Sequence, residues 1–94
     1  MMNRTSPSLL IVDDEPGLRV ALRANFLRQG WQAETAGGLQ EALTHLGRKP
    51  FDLVLCDVRM SNGDGFAVLQ AVRAQAPEAS FLFLTAYGLS LIHI

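Results

Sequence analysis

Two apolar runs, the continuous Leu9-Leu10-Ile11-Val12 and Phe51 to Cys56, interrupted only by Asp52, each break off abruptly at aspartate. A run that long without alternation fits a strand buried on both faces, the condition of a parallel sheet covered by helices. The segments between the runs repeat at helical spacing. After Pro16, whose missing N–H costs nothing in a first helical turn, Leu18, Ala21, Leu22, Asn25, Phe26 and Gln29 fall on one side, and Gly30 marks a stop. Trp31 to Ala36 reads as a short second strand broken by Gly37-Gly38, with Trp31 as a packing residue at its edge. Leu39, Ala42, Leu43 and Leu46 then make a second helix, which Gly47 is expected to close, with His45 on its exposed face. Ser61 to Gly65 is dense turn chemistry. Phe66, Leu69 and Val72, with Ala67 and Ala71, build a third helix ended by Pro77, and Ser80 to Leu84 is a fourth strand running into Thr85-Ala86. The order β-α-β-α-β-α-β with short connections predicts an α/β chain with right-handed crossovers and a doubly wound, three-layer parallel sheet.

Several classes of function are excluded by composition. The net charge of -1, with no basic run, lacks the positive footprint that nucleic-acid binding through this segment would need. No stretch of eighteen apolar residues is present, so a membrane-spanning helix is not expected. Cys56 is the single cysteine and cannot form an internal disulfide, which suits a cytoplasmic protein; core packing is its expected role. Residues 1–7 are polar, lack a secretory pattern and are expected to be a disordered end.

Open parallel sheets bind ligands beyond the carboxyl ends of their strands. Asp13 and Asp14, Asp57, and Thr85 all stand at such ends. Three carboxylates brought together repel: one pair at 4 Å costs about 4 kcal/mol at an effective dielectric near 20. Protonation or a cation must relieve that cost, and an open rim of hard oxygen ligands favours Mg²⁺ over zinc. A carboxylate beside Mg²⁺ is a competent nucleophile toward phosphorus, and a neighbouring hydroxyl can bond the phosphoryl oxygens.

The blocks Leu10-Ile11-Val12-Asp13-Asp14-Glu15, Asp57-Val58-Arg59-Met60 with Gly65, and Leu84-Thr85-Ala86 resemble the signature of the receiver domain of two-component response regulators. The resemblance covers roughly residues 8–88. It implies a flavodoxin-like strand order, 2-1-3-4, with the family's fifth strand and last two helices missing from this chain. Asp57 then resembles the phosphoacceptor, Asp14 the direct metal ligand, Asp13 its water-bridged partner, and Arg59 the residue whose backbone carbonyl binds Mg²⁺. Thr85 matches the switch hydroxyl, with the Ala86 backbone N–H nearby. The implied partner is a histidine kinase or phosphotransfer protein, and the implied role is regulatory rather than enzymatic.

The chain departs from the family in three places. Ser61 follows Met60 where proline is usual. The single lysine, Lys49, precedes Asp57, so the lysine of the family's fifth strand has no counterpart. Residues 89–94, Leu-Ser-Leu-Ile-His-Ile, look like the translation of a transposon-end sequencing adapter and are read as a non-native tail. Losing a fifth strand is expected to leave the fourth, Phe81-Leu82-Phe83-Leu84, as an open, aggregation-prone edge. Two other readings compete. A Mg²⁺-dependent phosphatase or phosphotransferase with an aspartate nucleophile would carry an Asp-x-Asp motif after its first strand, which is not found. An unphosphorylated receiver-like scaffold is separable by acetyl phosphate labelling.

Overall fold

The computed structural model describes residues 6–60, 64–85 and 88–91, the last group by its backbone. Strands β1 (Ser8–Val12), β2 (Gln32–Ala36), β3 (Leu53–Asp57) and β4 (Ser80–Thr85) are parallel in the order β2-β1-β3-β4. Helices α1 (Pro16–Arg28), α2 (Leu39–Arg48) and α3 (Gly65–Gln75) make the crossovers. Among the described residues no helix follows β4.

Alternation along each strand sends successive side chains to opposite faces. Leu10, Val12, Val54, Cys56, Phe81 and Phe83 join Ala42 of α2 and Val68, Leu69 and Val72 of α3 in the larger core. Leu9, Ile11, Ala33 and Leu55 form the opposite cluster, against which Leu22, Phe26 and Trp31 pack. Trp31 meets Phe26 edge-on at 5.7 Å, the packing role expected of it. Leu9, Leu10 and Val12 are wholly buried. Burying side chains of this kind stabilises by about 1.5–3 kcal/mol each, so β1 anchors both layers.

Several expectations are corrected. The predicted open edge at β4 is paired: β5 (Gly88–Leu91) runs antiparallel to it, with Leu84 opposite Leu89 and Thr85 opposite Gly88. An unpaired strand edge offers a row of donors and acceptors, and Leu89-Ser90-Leu91 supplies a backbone to meet them. Helix α2 runs through Gly47 to Arg48. Its stop comes at Lys49, extended at φ -157°, because the ring of Pro50 drives the preceding residue out of the helical region. No residue of α1 is buried; Leu22 and Phe26 reach the core while Ala21, Asn25 and Gln29 stay exposed. Periodicity gives the direction of an apolar stripe, not its width. In α3 the inward residues are Val68, Leu69 and Val72, whereas Phe66 is 60% exposed and leans on Phe83 with ring centroids 5.2 Å apart. His45 is half-buried rather than exposed: its Nε2 lies 3.0 Å from the Thr35 carbonyl and its ring meets Phe51 edge-on.

Candidate functional site

Strand register assembles the site. Val12 pairs with Cys56, so Asp13 and Asp57 stand one step further along neighbouring strands. Both continue the parity of Ile11 and Leu55, which face α1. Carboxylate oxygens of Asp13, Asp14 and Asp57 lie within 4.8 Å of one another. Asp13 and Asp57 line an open depression at the carboxyl end of the sheet together with Leu18, Arg59, Leu84 and Thr85.

Asp13 is the buried member, 1% exposed. Its N–H donates to the Ala36 carbonyl at 3.0 Å, its Oδ1 accepts the Glu15 N–H at 2.8 Å, and its carbonyl accepts Arg19 Nη1 at 2.6 Å. Oδ2 is buried and has no hydrogen-bond partner among the described residues. Burial pushes this carboxyl's pKa up; the Glu15 N–H opposes the rise, and the charges of Asp57, Asp14 and Glu15 add to it. A buried polar atom left without a partner costs about 1–3 kcal/mol, more when charged. A hard divalent cation would satisfy it and relieve the repulsion among the three acids, and an all-oxygen donor set matches Mg²⁺ or Ca²⁺. The residues present fit such an ion.

Asp57, half-buried, closes β3, and its Oδ1 accepts the Arg59 N–H at 2.9 Å. The Val58 N–H bonds the Leu84 carbonyl at 3.2 Å, tying this corner to β4. Gly65 opens α3 directly against it: a Cβ there would lie 2.9 Å from the Asp57 carbonyl oxygen and 3.0 Å from that of Val58. Gly65 thus serves close approach of backbone to backbone, which its reading as turn chemistry did not foresee. Arg59 is exposed on the rim and Thr85 half-buried beside it. Ala86 lies outside the described residues, as do Ser61, Asn62 and Gly63 of the predicted turn and Ile92 to Ile94 of the tail. Cys56 is wholly buried, its Sγ 3.4 Å from the Asp57 carbonyl. Burial, with Asp57 and Asp13 adding, pushes its thiol up to about 12, so it packs as a neutral group. Lys49 is engaged at the other end of the sheet, 4.0 Å from Glu34 and over the Phe51 ring.

The family model of the response regulator receiver domain matches residues 9–91, and the chain belongs to that family. The response regulator protein PilR of Pseudomonas aeruginosa is 38% identical over 79 residues, which are 84% of this chain and 18% of PilR. The chain therefore spans about a fifth of that curated relative. Two solved structures share the fold. A Burkholderia pseudomallei response regulator, with a phosphorylated aspartic acid and a calcium ion, superposes with a TM-score of 0.81 at 26% identity, covering 87% of this chain and 48% of that one. The response regulator TrrA of Thermotoga maritima, in complex with Mg(2+)-BeF, gives 0.77 at 33% identity over 86% of this chain and 70% of its own. TrrA is also solved in complex with the histidine kinase ThkA, with a TM-score of 0.76 at 33% identity over 87% of this chain and 71% of that one. No helix among the described residues is long and apolar enough to cross a membrane.

Proposed function

We propose that this chain is the phosphoacceptor of a two-component relay, taking a phosphoryl group onto Asp57 from a histidine kinase or phosphotransfer protein. The observation that carries this is the convergence of the Asp13, Asp14 and Asp57 carboxylates, one of which, that of Asp13, has a buried oxygen with no hydrogen-bond partner among the described residues. A carboxylate oxygen of Asp57 attacks phosphorus, the phosphorus–nitrogen bond of phosphohistidine breaks, and the imidazole leaves with the electron pair. Asp13, Asp14, Asp57 and the Arg59 backbone carbonyl would hold Mg²⁺. When bound, the ion neutralises charge on the phosphoryl oxygens. Thr85 would donate its hydroxyl to one of those oxygens, the role its resemblance to the switch hydroxyl implies, as that of Ala86 to the neighbouring backbone donor does. Movement of Thr85 toward the phosphoryl group is the switch that changes partner binding. The phosphorylated Burkholderia regulator, TrrA with Mg(2+)-BeF and TrrA with its kinase support the reading.

The role is regulatory, the setting cytoplasmic, and neither nucleic acid nor membrane is engaged through this segment. The receiver part is taken as residues 8–88, with the family match and the pairing of Gly88–Leu91 with β4 extending to residue 91. Reading residues 89–94 as a non-native tail is a proposal that an intact gene continuing through Leu89 to Ile94 would refute. Incubation with acetyl phosphate and Mg²⁺, followed by intact mass measurement, should show one phosphoryl group on the chain and none on Asp57→Asn. Absence of labelling, or equal labelling of the variant, overturns the proposal.

A further inference from the structure

Arg19 does not belong to the acidic cluster, yet its side chain ends on it. From α1 its Nη1 donates to the main-chain carbonyl of Asp13 at 2.6 Å. The other polar groups of Asp13 are committed as well, its N–H to Ala36 and its Oδ1 to Glu15. Only Oδ2 remains, buried and without a hydrogen-bond partner among the described residues. An acid pinned at three points presents its fourth polar group in a fixed direction. We propose that Arg19 is a positioning residue for divalent-ion binding, locking the Asp13 main chain so that its carboxylate is held within reach of those of Asp14 and Asp57. This rests on the acidic-cluster reading above.

The turn after β2 is shaped to admit the guanidinium. A Cβ on Gly37 would lie 3.2 Å from Arg19 Nη1 and 3.6 Å from its Cζ. The same turn is braced by Glu41, whose carboxylate accepts the Gly37 N–H. Further along α1, Arg23 makes a bond of the same kind, its Nε donating to the Ala33 carbonyl at 2.9 Å, but on β2 and not on an acid of the cluster. The helix therefore carries two arginine pins to the sheet, and only one ends on Asp13. Arg23 is the internal control.

Calorimetric titration with Mg²⁺, alongside thermal unfolding of each protein, tests the assignment. Groups that orient a metal ligand without touching the ion are typically worth about 10–100-fold in affinity, so Arg19→Ala should weaken Mg²⁺ binding by about tenfold and Arg23→Ala by less than about twofold. Arg19→Lys keeps the charge and can reach one acceptor, so it should recover part of the loss. Loss of charge alone has the opposite sign, because removing a cation near three acids tightens Mg²⁺. Binding by Arg19→Ala as tight as the unsubstituted chain or tighter overturns the proposal, as does equal weakening in Arg23→Ala. If the unsubstituted chain takes up no Mg²⁺, the acidic-cluster reading itself fails and takes this inference with it.

Discussion

Each end of the sheet carries an aspartate against β1, and the fold uses the two in opposite ways. At the amino end Asp52 is exposed, its Oδ2 taking the Ser8 N–H at 2.8 Å and lying 3.4 Å from the Ser8 hydroxyl, while its own N–H returns to the Ser8 carbonyl at 2.9 Å. That acid is spent on stapling β1 to β3. At the carboxyl end Asp13 is buried beside two like charges with one oxygen that no described residue bonds. Native proteins rarely leave such a group unmet, and a bound ion or a catalytic role is among the recurring reasons when they do. The contrast separates structural from functional acids better than residue type or position at a strand end.

The sharpest way to break this contrast is to neutralise each acid in turn. Asp13→Asn should weaken Mg²⁺ binding on the order of 100-fold, more than the roughly tenfold expected of Arg19→Ala, while Asp52→Asn leaves it unchanged in calorimetry. Equal effects would erase the distinction. Next in size is the backbone support: Gly65→Ala forces a Cβ against the Asp57 and Val58 carbonyls and should cost about 1–3 kcal/mol in urea unfolding. Gly47→Ala, in helix α2 with nothing within 4 Å of the added carbon, should instead gain about 0.5–1 kcal/mol.

A pH series sharpens the comparison further. Folded Asp13 keeps its proton to higher pH than the ordinary value of 3.8, so the folded chain binds more protons than the unfolded one between those two values. Stability from this group therefore falls as pH rises through that window and levels off above it. Mg²⁺ should blunt the fall and Asp13→Asn should remove it, as read from urea midpoints. The smallest effect is expected at the other end, where Asp52→Ala should cost about 0.5–1 kcal/mol of stability without altering the response to Mg²⁺.

Strands β1 and β3 and the acid-tipped rim were legible because apolar runs ending in aspartate leave little alternative, while β2 and β4 followed from the helical segments and turn residues that bracket them. Among the features that were not legible, three are instructive. The pairing of Gly88–Leu91 with β4 depends on a neighbouring edge being free, which is a property of the sheet and not of the segment. His45 was assigned outward because its helix position gives no hint of the Thr35 carbonyl on β2. Gly65 read as a turn because close approach between α3 and the Asp57 carbonyl exists only once the chain is folded. These three share one cause: each is a contact between two different elements, which no single segment's own pattern displays.

The matched registration of β1 and β3 has a consequence for how the chain responds to ions. A slip of one position would swing Asp13 to the other side of the sheet and strip Leu9 and Ile11 of their partners, so the acid trio exists only in the correctly zipped molecule. An ion that recognises the trio is thus blind to misaligned forms. By mass action such an ion would enrich the right alignment, so a divalent cation that binds the trio would also act as a check on folding.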